Sequence, residues 1–371
     1  MAHFPKDPRT ALSGSLKAAA KELPSVSASA TDAFRQSFPR LLDLVDKKFV
    51  VDARYHSDAL LGNRMNFLRD MHEYLGEIFG AVYEFGLYEN SIDEFFWFVS
   101  AASARGFKKD YFEKMLAAWQ AALHGIVEPA KVRELAALPS FLARNLDHFL
   151  RMPQVSEEIE AEPQKHLLRL ALEKNRRDAA ELVISLAKDY ASLDRLFQSL
   201  LAPVLHHIGR LWQLNKLSAA DEHAVFEICR YIVFRFCDSL PREPKTSVKA
   251  FVGCVTGEEH SMAAEMTAEI LNLKGWTVFF SGRSAPLEEI VWSARQFQPD
   301  AIFLSVSLIP NLPSARDLIM ALRSVLAGAR IILGGSAALA AKQAIEPWTD
   351  AVAEDIQDGY RKARDMVTRH A

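Results

Sequence analysis

The sequence predicts an α + α/β chain: two helical regions followed by a sheet covered with helices. Three observations predict it. Up to about residue 150 the apolar residues follow helical spacing throughout, with a high density of aromatics. Between residues 160 and 240 a second set of helical segments follows a polar stretch. Beyond Pro241-Arg242-Glu243-Pro244 the period changes, and short strand-like runs alternate with helical segments five times.

The first 30 residues, rich in Ser, Ala, Lys and Pro and lacking the apolar core of a signal peptide, read as a flexible tail. Residues 31–152 read as an all-helical domain of unknown ligand and role. Within it, Asn63–Phe85 keeps Phe67, Leu68, Met71, Leu75, Ile78, Phe79 and Val82 on one stripe. Asn90-Ser91 offers a cap for Ile92–Ala104, which Gly106 ends; Asp110–His124 and Ala130–Leu150 follow. The aromatic density is that of a helix-bundle core, and no motif here carries chemistry. Residues 152–158 read as a linker.

Residues 160–240 read as a four-helix-bundle cap, with segments at Leu167–Leu172, Arg176–Lys188, Leu193–Leu211 and Ala219–Cys237. In residues 247–371 the strand-like runs are Val248–Val255, Thr277–Ser281, Ala301–Val306, Arg330–Leu333 and Asp350–Ala353. This alternation implies a doubly wound parallel sheet of flavodoxin-like order. Ligands of such sheets bind beyond the carboxyl ends of the strands, where the first loop, Thr256–Ser261, carries His260.

The chain is long for one core, at 371 residues, and its formal charge of −3 makes no case for binding nucleic acid or acidic lipid. The Lys47-Lys48 and Lys108-Lys109 pairs are too short to mark a DNA path, and no winged-helix-like region precedes the bundle, so direct DNA binding is not expected. No apolar run approaches the ~20 residues of a membrane span. Cys229, Cys237 and Cys254 form no CxxC pair and cannot all pair internally, which points to a reducing, cytoplasmic setting.

Two short signatures bear on chemistry. The first is His260 with Glu258 two residues before it. Glu258 could accept one ring N–H and fix the tautomer, leaving the other nitrogen for a metal. One imidazole is too few ligands for a bare ion, but a metal already held by a macrocycle needs only an axial ligand, which points to a corrin or a porphyrin. An ordinary hydrogen-bonded loop histidine remains the alternative. The second signature is Trp212, nine intervening residues, then Glu222-His223. Ser218 caps the second helix with Asp221 at capping-box spacing, so the tryptophan and the Glu-His pair face each other across a helix–turn–helix. Core packing of Trp212 is the alternative there; a charged Glu222 in an apolar bundle is harder to explain. His206 and His207 project about 100° apart on a helix and cannot chelate one ion together.

The stretch Thr256-Gly257-Glu258-Glu259-His260-Ser261-Met262-Ala263, with Ser281-Gly282, Ser305-Val306-Ser307 and Gly334-Gly335, resembles the cobalamin-binding domain family. The resemblance implies that His260 is the lower cobalt ligand. It implies further that Glu258, Ser261, Met262, Ala263, Gly282, Ser305, Ser307, Gly334 and Gly335 line the channel for the nucleotide tail. Where the family has glycine, this chain has Ala263. The Trp212/Glu222-His223 pattern resembles the helical cap of adenosylcobalamin-dependent photoreceptors that regulate transcription, where these residues cover the adenosyl group. In those proteins an imidazole after the tryptophan takes the upper cobalt position once light has removed adenosyl; here that residue is Gln213.

The function implied is a cobalamin-binding sensor of light or cofactor, not an enzyme, acting on a protein partner or a second copy of itself. The alternatives are a corrinoid carrier of methyl groups for a methyltransferase and a haem sensor on the same scaffold.

Overall fold

The computed structural model describes residues 10–50, 64–152, 159, 161–186 and 195–367, which fall into two compact units divided between Val155 and Ser156. Residues 1–9 of the expected tail, 153–158 of the expected linker and residues 187–194 lie outside the described residues.

The first unit is helical. The expected flexible tail instead contains α1 (Thr10–Lys21), which packs on α4 (Tyr88–Ala104) and buries Leu16 and Ala20. Lys17 and Lys21 of the same helix pair with Asp93 and Glu89 of α4, at 2.5 and 3.6 Å. Helices α2 (Ala28–Val50), α3 (Arg64–Phe85) and α5 (Lys109–Ile126) surround Trp119, which is fully buried with Phe34, Phe38 and Phe79 around it. Gly76 admits the indole: a Cβ there would lie 2.4 Å from it.

α4 begins before the expected Asn90-Ser91 cap, and the Ser91 hydroxyl donates to the Tyr88 carbonyl inside the helix. The expected helix Ala130–Leu150 is three short ones, α6 (Pro129–Leu135), α7 (Ala137–Arg144) and α8 (Leu146–Arg151). Pro139 has no N–H for the carbonyl four residues back, and the freed Leu135 oxygen accepts from the Tyr83 hydroxyl at 2.6 Å.

In the second unit the cap comprises α9 (Glu162–Leu172), α10 (Arg176–Leu186), α11 (Ala202–Gln213) and α12 (Ala219–Ser239). One π-helical turn, Phe197–Leu201, leads into α11. Pro203 there leaves the Ser199 carbonyl unbonded within the helix, and Gln164 of α9 donates to it. Ser218 caps α12, its hydroxyl accepting from the Asp221 amide at 3.1 Å, as its spacing predicts.

Among the described residues β1 (Lys249–Cys254), β2 (Thr277–Phe280), β3 (Ala301–Ser305), β4 (Arg330–Gly334) and β5 (Ala351–Val352) form one parallel sheet of order β2-β1-β3-β4-β5. This is the flavodoxin-like order the alternation predicts. Register sets Cys254, Ser305 and Gly334 side by side at the carboxyl edge.

The helix after β1, α13 (Met262–Leu273), joins sheet to cap through two faces. Met262, Met266, Ile270 and Leu273 enter the core of the bundle, while Ala264, Ala268 and Leu271 lie on the sheet. Small residues toward the strands and long ones toward the bundle let one helix serve both layers. Helices α14 (Leu287–Phe297), α15 (Leu312–Val325), α16 (Ser336–Ala340), α17 (Lys342–Ile345) and α18 (Ile356–Val367) complete the unit. No helix among the described residues is long and apolar enough to cross a membrane. The three cysteines are free and buried.

Candidate cobalamin site

The loop after β1 is built on a buried carboxylate. Gly257 turns the chain at φ +86°, a conformation L side chains rarely adopt, and delivers Glu258 inward. Glu258 is fully buried, and both of its oxygens are saturated. One accepts from the His260 amide at 2.9 Å and lies 2.7 Å from His260 Nδ1. The other accepts from the Ser307 amide at 2.7 Å, the Leu308 amide at 3.0 Å and the Asn311 side chain at 3.1 Å. Burial alone would raise this carboxyl; the donors from His260, Ser307 and Asn311 outweigh it and hold the group down at about 2.

An ionised carboxylate can only accept, so Nδ1 carries a ring proton, and in the neutral imidazole the lone pair is on Nε2. The imidazole is 61% exposed, and no hydrogen bond to Nε2 occurs among the described residues. The bond to Glu258 raises the His260 pKa, and the charges of Glu258, Glu222 and Glu259 add to it. Glu222, one of those charges, belongs to α12 of the cap.

Around this loop the structure sorts the expected residues. The Ser305 hydroxyl is buried at the carboxyl edge with no hydrogen-bond partner among the described residues. Ser307 gives its amide to Glu258, and its carbonyl accepts from the Ser336 hydroxyl. Gly335, at φ +106°, would drive a Cβ to 2.1 Å from the Val306 carbonyl, so glycine is required by the backbone itself. Gly334 and Gly282 are open, with nothing closer than 4.0 Å to an added Cβ at either position. Ala263 is half-buried.

Two expected contacts point elsewhere. The Ser261 hydroxyl is fully buried and donates to Glu265 at 2.8 Å. Met262 is a core residue of the bundle interface rather than part of an open channel.

In the cap, Trp212 sits half-buried in the last turn of α11 and Glu222 in the first turn of α12, its side chain 29% exposed. His223 is exposed, with Nε2 3.4 Å from Glu222. Gln213 is buried and accepts from Arg210 at 2.6 Å, so its amide is committed inside the bundle. His206 is exposed and His207 half-buried.

Sequence reasoning missed Asn311, Glu265, Arg230 and Arg283. Asn311 precedes α15 in a Leu-Ile-Pro-Asn turn, where it reads as a helix cap; its amide goes to Glu258 instead. Arg230 of α12 donates to Glu265 of α13 at 2.5 Å, and Arg283 lies 3.9 Å from both Glu227 and Glu259. No cluster of three or more His, Cys, Asp or Glu residues able to hold a metal ion occurs among the described residues.

Residues 248–356 match the B12 binding domain family, and residues 164–235 match a second family described as a B12 binding domain. The chain carries two B12 binding domains, and it is a cobalamin-binding protein. Dimethylamine corrinoid protein 1 of Methanosarcina acetivorans is 24% identical over 201 residues, covering 52% of this chain and 92% of that protein. The HTH-type transcriptional repressor CarH of Myxococcus xanthus is 27% identical over 145 residues, 39% of this chain. The match spans about half, 48%, of that repressor's length. Among solved structures, the Methanosarcina barkeri monomethylamine corrinoid protein aligns with a TM-score of 0.44 at 14% identity, over 56% of this chain and 98% of that one.

Proposed function

We propose that this protein is a cobalamin-dependent sensor, reading adenosylcobalamin or its loss after illumination and signalling through contacts with a protein partner or a second copy. The single observation that carries this reading is His260 in an exposed loop at the carboxyl edge of the sheet, its Nδ1 held by a buried Glu258 whose two oxygens are saturated. The residues present fit the cofactor. An unsatisfied buried hydroxyl at Ser305 and open backbone at Gly334 and Gly282 suit a polar tail, while Ser307 and Gly335 shape the edge around it.

Bound cobalamin would supply a cobalt–carbon bond that light or a nucleophile can break. The chain's own part is to hold and to sense. His260 would ligate from below, with Glu258 keeping its proton on Nδ1 and so its lone pair on Nε2. Trp212, Glu222 and His223 would cover the upper substituent: indole for a planar base, carboxylate for its polar edge. Gln213 is committed to Arg210, so it is not placed to become an upper ligand. Trp212 and Glu222, carried by α11 and α12, would pack differently with and without that substituent, and this difference would be the signal.

A second reading is a corrinoid methyl carrier serving a methyltransferase. It is favoured by the dimethylamine corrinoid protein match, which extends over 92% of that protein. A haem sensor on this scaffold is the third.

Absorption spectra with adenosyl-, methyl- and hydroxocobalamin, before and after green light, separate the three. An adenosyl form that photoconverts supports the sensor. Selective binding of methylcobalamin, with demethylation by a methyltransferase, supports the carrier. A Soret band in protein as isolated supports haem. His260→Ala should weaken binding by more than the 10–100-fold typical of losing a ligand's supporting residue, and should shift the bound spectrum to that of cofactor without a protein imidazole. An unchanged spectrum removes His260 from this role.

A further inference from the structure

We propose that Glu265 is the positioning residue that couples the His260 loop to the cap, through Ser261 on one carboxylate oxygen and Arg230 on the other. The proposal rests on the cobalamin reading of His260 and deepens it, since it names how a state of the loop reaches the bundle.

Ser261 directly follows His260 and is fully buried; its hydroxyl donates to Glu265 Oε1 at 2.8 Å. Glu265 is only 4% exposed, and its Oε2 accepts from Arg230 Nε at 2.5 Å. Arg230 projects from α12, the helix that carries Glu222, and its Nη1 lies 3.5 Å from Glu227 of the same helix. One rigid carboxylate thus connects the residue beside the ligand histidine with the helix of the cap signature.

Two features make this a coupler rather than a pair of unrelated contacts. A carboxylate is planar, so rotating it to follow one donor turns the other oxygen away from its own. The apolar seam between α12 and α13 runs through Met262 and Met266, unbranched side chains that slide and repack readily. Glu265 is buried while Arg230 reaches it from a 36% exposed position, so losing the charge-assisted bond leaves a carboxylate oxygen inside without its donor. A shift of the loop on ligation at His260 would move Ser261, turn Glu265 and loosen or tighten α12 through Arg230.

The test uses full-length protein and single variants that each touch one end. In apo-protein, hydrogen exchange of α12 amides should accelerate on the order of tenfold in Arg230→Ala, with Arg230→Lys recovering most of the protection. The decisive apo measurement is Ser261→Ala, which removes only the loop contact: α12 exchange should still rise several-fold. With hydroxocobalamin, Arg230→Ala, which does not touch the loop, should shift the fraction of cofactor ligated by protein imidazole, read from the absorption spectrum. Glu265→Gln should combine both effects, and the Ser261→Ala/Arg230→Ala double variant should change exchange by less than the product of the singles.

If Ser261→Ala leaves α12 exchange at the wild-type rate, Glu265 merely makes two separate contacts and the coupling is overturned, even should Glu265→Gln fail to fold. That outcome is independent of the cofactor. Failure of wild-type protein to bind any cobalamin would instead sink the reading on which the spectral arm rests.

Discussion

Two carboxylates, half-buried Glu94 in the N-terminal unit and fully buried Glu258 in the C-terminal unit, show what separates a packed interior from a site. Glu94 of the N-terminal unit accepts one hydrogen bond, from Tyr74 at 3.1 Å, beside Asp93. Burial raises its pKa, and the Tyr74 bond only partly offsets that. Glu258 of the C-terminal unit is fully buried yet held at about 2, because donors converge on both its oxygens. Burial by itself favours the neutral form; only a built set of donors keeps a charge inside. In the N-terminal unit the polar groups accommodate an aromatic core. In the C-terminal unit the core is arranged so that one imidazole stands out with a fixed tautomer.

The contrast breaks most sharply at Trp119. Trp119→Ala should destabilise the N-terminal unit by about 3–5 kcal/mol, toward the low end because the lost indole N–H is itself buried with no partner among the described residues. Urea melts should show the loss, while the spectrum of bound cobalamin stays that of wild type. A changed spectrum would mean the aromatic core takes part in the site. Glu258→Gln should do the reverse, weakening cobalamin binding about 10–100-fold. Its effect on apo stability carries a sign. The native carboxyl lies below its ordinary 4.5, so its stabilisation is present above pH 4.5 and disappears as pH falls toward about 2. The gap between wild type and Glu258→Gln in urea melts should therefore be full near neutrality and close across that acid window. A gap independent of pH would show that shape, not charge, is what Glu258 supplies.

Strand and helix alternation was legible from residue 248 onward because parallel strands buried on both faces are short, dense apolar runs between turn residues. The sheet order and the His260 loop followed from it. The N-terminal helix α1 was not legible, since only Leu16 and Ala20 among its described side chains are buried in an Ala- and Ser-rich stretch. That the Met262 and Ser261 side chains face the interior was not legible for a different reason. Helical spacing places Met262, Met266 and Ile270 on one face, but it does not say whether that face meets a ligand or the bundle. Asn311 and Glu265 were invisible because their partners lie 53 and 35 residues away in sequence, Glu258 and Arg230 respectively.

The smallest expected effect is the most discriminating for the tail channel. Ser305 has a buried hydroxyl without a partner, an arrangement that stabilises nothing in the apo-protein. Ser305→Ala should therefore leave the apo-protein as stable as wild type or slightly more so. If the hydroxyl exists to meet a polar tail atom, the same variant should bind cobalamin about 2–10-fold more weakly, the worth of one neutral hydrogen bond. Cobinamide, which lacks the nucleotide tail, should bind wild type and variant equally. A loss with cobinamide as large as that with cobalamin would place Ser305 against the corrin ring rather than the tail, and an apo-protein destabilised by the change would make the hydroxyl structural.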